Sequence, residues 1–275
     1  MPNNVVKDLP TMKKFTFPVF EVVTPHTNHS FTVRSMTVDQ ESVIKESSVS
    51  PVKFDTIVSQ TIFDCIENKE PPFTTLEGFE KNLTGRDREA LIFGLVIASY
   101  GETQKYSYKC PNCGKEFEVE INLAENADVK IYDGNEDLVN KEITIDLPVS
   151  KYQAIVKLPS LWESKNIYNI KGVDKSLLDK MSEFNIVKKM IIPGTEVDKD
   201  TGEVKERNYV VDKLLDIYNT IKGLPARDRK AIQNSVIDLY GKYGVNVNVP
   251  TVCPSCGHEF ETRLDVVQEL FRLLQ

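Results

Sequence analysis

Two copies of the cysteine motif Cys-Pro-x-Cys-Gly constrain the fold of this chain more than any other sequence feature. The first copy contains Cys110 and Cys113, the second contains Cys253 and Cys256, and each stands between two strand-like runs. In a knuckle of this kind two thiolates face one metal ion, and the glycine after the second cysteine provides a tight turn. The sequence therefore predicts two zinc knuckles, each at the tip of a β-hairpin.

The long stretch of chain between Cys113 and Cys253 leaves three ligand arrangements open. Both knuckles could share one zinc ion, two ions could recruit remote ligands such as Cys65, His26 or His29, or the cysteine pairs could be redox dithiols or disulfides. Tetrahedral zinc needs four ligands and each knuckle supplies two, which favours the shared site. We therefore expect about one structural zinc ion per chain. Its predicted ligands are Cys110, Cys113, Cys253 and Cys256.

Three other metal-binding candidates are weaker. Cys65 falls on the apolar face of a helix predicted at residues 52–68, where we expect a buried, inert thiol. His26 and His29 lie in a predicted loop without a third ligand nearby. Residues 198–202 are similar to a calcium loop but place the glycine one position too early, so we interpret them as a hairpin turn.

A longer repeat surrounds the knuckles. Residues 86–92 and 227–233 both begin Arg-Asp-Arg and align with each other. The Tyr-Gly pair that follows and the first cysteine of the motif recur at nearly the same spacing. Upstream, the strand-like residues 31–34 align with residues 154–157 at a somewhat shorter spacing. The preserved order of these elements predicts an internal duplication.

Helix signals follow each upstream strand. Thr37 and Ser160 each begin a capping box, and apolar periodicity predicts helices at residues 52–68, 175–192 and 210–222. Each Arg-Asp-Arg helix should end at Tyr-Gly, with the glycine just beyond the helix. We therefore predict an α+β fold in which each half is a small β-hairpin plus a helical bundle ending in a zinc-knuckle hairpin. The two knuckles are expected to form one split, zinc-ribbon-like site.

The predicted units are residues 1–124 and 143–275, joined by an acidic linker at 125–142. The linker carries a net charge of −4, the first unit carries −4 and the second carries +1, so that neither unit is a basic module. An insertion at residues 193–208 in the second unit is polar, and we expect it to form an exposed hairpin or a mobile loop.

Composition and motifs exclude several classes of function. The net charge of −7 argues against a protein that binds nucleic acid by charge alone. No apolar run approaches the ~18–20 residues of a membrane span, so we expect a soluble, cytoplasmic protein. Neither a nucleophile motif nor a phosphate loop is present, and zinc held by four thiolates has no open coordination position. We therefore predict that the chain is not an enzyme.

Two sets of residues are candidate contacts with a partner protein. The repeated arginines would either brace their own helices or bind a partner: Arg86, Arg88, Arg227 and Arg229. Apolar residues at helical spacing in the C-terminal segment would either pack on their own unit or dock on another chain: Val267, Leu270, Phe271 and Leu274.

Three features occur in an order typical of one family: the strand at residues 31–34 running into the Thr37 cap, the Arg-Asp-Arg helix ending in Tyr-Gly, and the Lys-Cys-Pro-Asn-Cys-Gly knuckle followed by Phe-Glu-Val-Glu. The chain thereby resembles the baseplate hub assembly proteins of T-even-type contractile-tailed bacteriophages. The resemblance implies a non-enzymatic role in building the hub, through contacts with other baseplate or tail hub proteins in the host cytoplasm. It leaves open whether the protein stays in the virion tail or leaves as a chaperone. It implies that the four knuckle cysteines are metal ligands, and it implies no catalytic residue.

The alternative hypothesis is a zinc-ribbon nucleic-acid-binding or transcription-associated factor. Such a protein would present a basic, aromatic-bearing face near its knuckles. The residues that flank the first knuckle are instead mixed in charge: Lys109, Lys115, Glu116 and Glu118. The sequence therefore favours a protein-protein role over nucleic-acid binding.

Overall fold

The computed structural model describes residues 16–47, 51–133, 138–197 and 203–274. Within these ranges α-helices combine with small β-sheets, which confirms the predicted α+β class. The strands are β1 (Val19–Val23), β2 (Ser30–Arg34), β3 (Thr103–Lys109), β4 (Glu116–Asn122), β5 (Ala127–Lys130), β6 (Ile143–Asp146), β7 (Gln153–Val156), β8 (Val187–Val197), β9 (Val204–Val211), β10 (Gly244–Val252) and β11 (Glu259–Leu264). The helices are α1 (Val38–Ser47), α2 (Pro51–Cys65), α3 (Leu76–Asn82), α4 (Gly85–Tyr100), α5 (Leu161–Asn166), α6 (Lys175–Ser182), α7 (Leu214–Lys222), α8 (Ala226–Val236) and α9 (Val266–Leu273).

The described strands form four antiparallel sheets. β1 pairs with β2 and β3 pairs with β4 as two-stranded hairpins. β10 lies between β11 and β5, and the remaining sheet has the order β6-β7-β8-β9. The hairpins β3–β4 and β10–β11 occupy the positions that the sequence predicts on either side of each cysteine motif.

Helix α4 lies at the centre of the hydrophobic core. It begins with a capping box in which the Thr84 hydroxyl accepts a hydrogen bond from the Asp87 amide, while the Asp87 carboxylate accepts one from the Thr84 amide. Every residue from Ala90 to Ala98 is also buried. A Cβ atom at Gly94 would lie 2.2 Å from Cγ2 of Val22, so glycine allows β1 to pack directly on the helix backbone.

The two Arg-Asp-Arg helices end differently. Gly101 follows α4 with a φ of 86°, as predicted for a glycine just beyond a helix. The corresponding prediction for Gly241 is wrong, because α8 continues into a π-helical segment, Ile237–Gly241, and Lys242 keeps a right-handed helical conformation. Tyr240 is buried within this wider turn.

Two helix predictions in the second half are wrong in part. The helix predicted at residues 175–192 ends at Ser182, and residues 187–192 belong to β8. Residues 210–211 close β9, and α7 begins only at Leu214. Valine and isoleucine pack well on a pleated surface, and pairing with the neighbouring strand overrides the helical periodicity at these positions.

The insertion predicted at residues 193–208 contributes to a long hairpin. β8 and β9 pair from Met190–Val211 out to Val197–Val204, and every residue of β9 except Val211 is exposed. The segment similar to a calcium loop, 198–202, lies outside the described residues.

The acidic segment predicted as a linker is partly built into the fold. Residues 127–130 form β5, which pairs with β10 of the second predicted unit. The Tyr132 amide donates a hydrogen bond of 2.7 Å to the Pro25 carbonyl of the first unit. The segment is therefore more than a loose connection between the units, although residues 134–137 lie outside the described ranges.

The loops of hairpins β1–β2 and β6–β7 have matching geometry. The Thr24 amide donates to the His29 carbonyl, and the Leu147 amide donates to the Tyr152 carbonyl. The residue before each of these acceptors has a positive φ, 52° at Asn28 and 63° at Lys151. The two hairpins therefore turn in the same way.

A buried aspartate in each Arg-Asp-Arg helix holds one of these loops. Asp87 Oδ1 accepts the amide of His26 at 2.8 Å. Asp228 accepts the amides of Val149 and Ser150, each at 2.8 Å. Both aspartates have a relative accessibility of 0%. Buried carboxylates that accept backbone amides in this way fix the hairpin relative to the helix.

The main hydrophobic core draws on both predicted units. It surrounds α4 and includes Val245, Val247 and Val249 of β10 and Leu270 of α9. A second core lies between the sheet β6-β7-β8-β9 and helices α7 and α8. Both knuckle hairpins therefore extend from packed elements.

Replacement of Asp87 by asparagine should lower the free energy of unfolding by about 1–3 kcal/mol, because an amide nitrogen cannot accept the buried hydrogen bonds. Urea unfolding followed by circular dichroism measures the change. Asp238→Asn, at an exposed position beyond α8, is the matched control and should stay within about 0.5 kcal/mol of the wild type. Equal stability of the Asp87→Asn variant and the wild type would contradict the structural role of this carboxylate.

Acid unfolding should depend on Asp228. Burial raises the pKa of its carboxyl group, but hydrogen bonds from Val149 and Ser150 outweigh burial, so that the pKa lies below its ordinary value of 3.8. A pKa lowered in the folded state stabilises the fold fully above the ordinary value, and this stabilisation is lost as the pH falls through the folded pKa. The Asp228→Asn variant should therefore lose less stability than the wild type as the pH falls below about 4 in the same unfolding assay. Parallel losses would contradict this assignment.

Candidate metal centre

The two cysteine motifs form turns of the same geometry. In the first, the Cys110 amide donates to the Lys115 carbonyl and the Gly114 amide donates to the Cys110 carbonyl, both at 2.9 Å. In the second, the corresponding pair of bonds has the same lengths. The glycines have φ angles of 71° at Gly114 and 69° at Gly257, a conformation that glycine adopts without strain.

The four sulfur atoms of the motifs converge to within 4.8 Å of one another. Cys110 Sγ lies 3.7 Å from Cys256 Sγ, and Cys113 Sγ lies 3.8 Å from Cys253 Sγ. A tetrahedral site with Zn–S bonds of about 2.3 Å has S···S edges of about 3.8 Å. A disulfide would need about 2.05 Å, and all five cysteines of the chain are free. The donor set fits a tetrahedral ion with soft ligands.

The sulfur cluster has local twofold pseudo-symmetry. Alignment of the two motifs exchanges Cys110 with Cys253 and Cys113 with Cys256. This exchange converts one close pair of sulfurs into the other, and the two pairs are nearly equal in length, at 3.7 and 3.8 Å. Each hairpin therefore contributes one buried and one exposed cysteine in an equivalent way.

Backbone amides support the sulfur atoms. The His258 amide bonds to the Cys256 sulfur and, against desolvation, lowers the pKa of this thiol to about 6. The Lys115 amide favours the Cys113 thiolate in the same way, but desolvation and hydrogen bonds with the other three cysteines raise the pKa of Cys113 to about 11. One cysteine of the cluster therefore loses its proton readily, and its negative charge disfavours the ionisation of the next cysteine. A divalent cation removes this opposition, since it stabilises every thiolate that it binds.

Aromatic side chains also join the two knuckle hairpins. The Phe117 and Phe260 rings, which stand at equivalent positions of the two hairpins, have centroids separated by 6.3 Å at 80°. The Tyr108 ring meets Phe260 edge-on at 6.1 Å. Edge-to-face pairs of this kind add favourable contacts to the burial of apolar surface. Thus the hairpins meet through an apolar contact next to the sulfur cluster.

The remote ligands considered from the sequence lie elsewhere. The His26 ring is buried, with Nδ1 2.9 Å from Thr84 Oγ1 and Nε2 3.3 Å from the Tyr240 carbonyl. The His29 ring packs on an aromatic side chain, and Cys65 is fully buried, which raises the pKa of its thiol. Among the described residues, the four knuckle cysteines are the one group with three or more close metal-binding atoms.

The contact between the His26 loop and α4 was not predicted from the sequence. Its local signal is Thr84, which stands three residues before Asp87 in the pattern of a capping box. The position of His26 against both residues, 58 and 61 positions away along the chain, depends on tertiary packing.

The repeated arginines fall into two groups. Arg86 pairs with Glu89 at 2.7 Å, and Arg88 pairs with Asp55 at 3.1 Å. Arg227 and Arg229 are exposed, and within the described part of the chain neither forms an ion pair. The first pair thus braces its own unit, whereas the second pair faces solvent.

The C-terminal apolar residues pack within the molecule. α9 contacts α4, and Leu270 is fully buried in the main core. The Phe271 ring stacks on Phe54 at 4.4 Å, and Val267 and Leu274 are partly buried against the same core. Their side chains therefore contribute to the core of the chain itself.

No helix in the described ranges is both long enough and apolar enough to cross a membrane. The family model described as T4 bacteriophage base plate protein matches residues 17–272. No curated protein and no solved structure matches the chain significantly. Since the family model covers nearly the whole sequence, including both knuckles, the chain belongs to the family of T4 bacteriophage base plate proteins.

Proposed function

We propose that this chain is a non-enzymatic protein of the bacteriophage tail baseplate hub, acting there as a structural component or as a chaperone-like assembly factor. The family match over residues 17–272 carries the proposal, because it covers both predicted units. Its partners are other baseplate or tail hub proteins, which it meets in the host cytoplasm during assembly and, as a structural component, in the virion tail.

The metal that we propose for the sulfur cluster is a single structural zinc ion. The ligands are Cys110, Cys113, Cys253 and Cys256. The support is the chemistry of four thiolates together with sulfur separations of 3.7 and 3.8 Å. Four protein ligands leave no position for a substrate, so the ion stabilises structure only.

The ion would stabilise one particular contact in the fold. Two of its ligands come from hairpin β3–β4 and two from β10–β11, which are far apart in sequence. The shared core and the Phe117–Phe260 contact already bring these hairpins together. Zinc would therefore add most to the stability of the exposed ends of the hairpins, where the cysteines lie.

We also propose that the chain is an internal duplication of units 1–124 and 143–275. Three equivalences support it: the hairpin loops, the buried aspartates that hold them, and the knuckle turns. A fourth lies after each knuckle, where Asn122 and Asp265 side chains each accept the backbone amides two and three residues later. In the second unit this cap begins α9, whereas in the first the chain turns into β5.

Removal of one ligand tests the zinc site. Protein purified without chelator should contain about one zinc per chain, and Cys110→Ser should lose it and melt at a temperature about 5 °C lower. Metal analysis and thermal unfolding measure the two effects. Cys65→Ser changes the one cysteine outside the cluster and should retain the metal. Wild-type protein that carries no metal, or a Cys110→Ser variant that retains it, would refute the shared site.

Fractionation of infected cells tests the role in the baseplate. The full chain carrying an affinity tag should co-sediment with baseplate precursors. A structural component should also appear in purified virions at a fixed number of copies, whereas an assembly factor should be absent from them. Absence from precursors and virions alike would contradict the proposal, and recovery with polymerase or nucleic acid would favour a nucleic-acid factor.

A further inference from the structure

The two Arg-Asp-Arg helices differ in how their charges are satisfied. In the alignment of the two helices, Arg229 corresponds to Arg88, and Lys230 stands where Glu89 stands in the first copy. Arg88 is bound by Asp55 within the molecule. Arg229 has no such carboxylate among the described residues, and the replacement of Glu89 by a lysine adds a further positive charge. The second copy thus lacks the acidic groups that neutralise the first.

Arg229 lines a cleft of about 370 Å³ between α6, α7 and the start of α8. The floor of the cleft consists of Phe184 and Leu224, which are partly buried, and of Tyr218 and Ile221, which are buried. Its rim carries three cations, Lys180, Lys222 and Arg229, against one acid, Glu183. Three of the four charged side chains that line the cleft are thus cations, on a chain of net charge −7, so the cleft attracts acidic groups.

The floor of this cleft is held in place by its own packing. Phe184 and Tyr218 rings lie 6.1 Å apart, and the Lys222 ammonium sits 5.4 Å above the Tyr218 ring. Ile221 is buried in the core between α7 and the sheet. A ligand would therefore meet a formed surface and would not have to order it, which reduces the entropic cost of binding.

We propose that this cleft binds an acidic, amphipathic segment of a neighbouring baseplate protein. Carboxylates of the segment pair with Arg229, Lys180 and Lys222, and one of its apolar side chains packs against the partly buried Phe184 and Leu224. The identity of the neighbour as a baseplate protein rests on the proposed function; the chemistry of the ligand rests on the cleft alone. Within the molecule, Asp55 provides a carboxylate to Arg88. The bound segment provides the equivalent carboxylate to Arg229.

Nucleic acid fits the same cations less well. Single-stranded nucleic acid is bound by stacking bases on exposed aromatic faces. The Tyr218 side chain is only 7% exposed, and the Lys222 ammonium lies over its ring. Tyr218 therefore offers no open face on which a base could stack.

Binding of a labelled peptide tests the proposal on the full chain. The probe is a fluorescein-labelled helical peptide of about 15 residues with leucine and glutamate on one face, a length of about four helical turns. Fluorescence anisotropy should show binding that weakens as salt is raised, since the rim pairs are exposed to solvent. The same peptide with glutamine in place of glutamate should bind about tenfold more weakly.

Charge reversal locates the site. Arg229→Glu and Lys180→Glu should each weaken peptide binding by about tenfold or more. Lys171→Glu is the matched control, because Lys171 is exposed but does not line the cleft, and it should bind like the wild type. Circular dichroism melts check that each variant folds. The proposal is overturned by equal binding to all variants, by no binding to the wild type, or by tighter binding of a DNA oligonucleotide than of the peptide.

A phage that encodes Arg229→Glu separates this inference from the proposed function. The variant chain should be depleted from baseplate precursors at least about tenfold relative to the wild type. If both chains assemble equally, the cleft does not bind the neighbour, while the hub role stands. If the wild-type chain itself is absent from precursors and virions, the hub role fails, and peptide binding alone decides the ligand chemistry of the cleft.

Discussion

The fold depends on buried carboxylates that tie a hairpin loop to the start of a helix. Asp87 and Asp228 each accept backbone amides of such a loop, and each stands in a helix that leads to a knuckle hairpin. A buried carboxylate is costly unless its oxygens are hydrogen-bonded, and here the loops supply the donors. The hairpin, the helix and the knuckle of each half are therefore held in a defined relation.

The knuckles meet because the elements that carry them share a core. β10 contributes three valines to the core around α4, and α4 leads directly into β3. Apolar packing thus brings the hairpins together, the Phe117–Phe260 contact aligns them, and four sulfurs converge at their ends. Zinc, as proposed, would lock an arrangement that the core has largely formed. The core would thus form the arrangement and the ion would hold its exposed ends, as is expected for a small site that is half exposed to solvent.

The two halves contain similar structural elements, but their charged side chains are used differently. In the first half the motif arginines are neutralised by Glu89 and Asp55, and their helix is the centre of the core. In the second half, Arg229 faces a cleft with an apolar floor and a cationic rim. The second half also bears the exposed strand β9, at the edge of its sheet.

The sequence by itself determined the elements with strong local signals. These are the knuckle hairpins, the capping boxes at Thr37 and Ser160, and the glycine after α4, because turn and cap chemistry involve only neighbouring residues. Only the tertiary structure decided the rest. Residues 187–192 became a strand through pairing with β7, part of the acidic segment became β5 through pairing with β10, and Gly241 was drawn into a π-helical end. The convergence of four sulfurs from distant parts of the chain belongs to the same class: the motif defines two half-sites, but long-range apolar packing places them together.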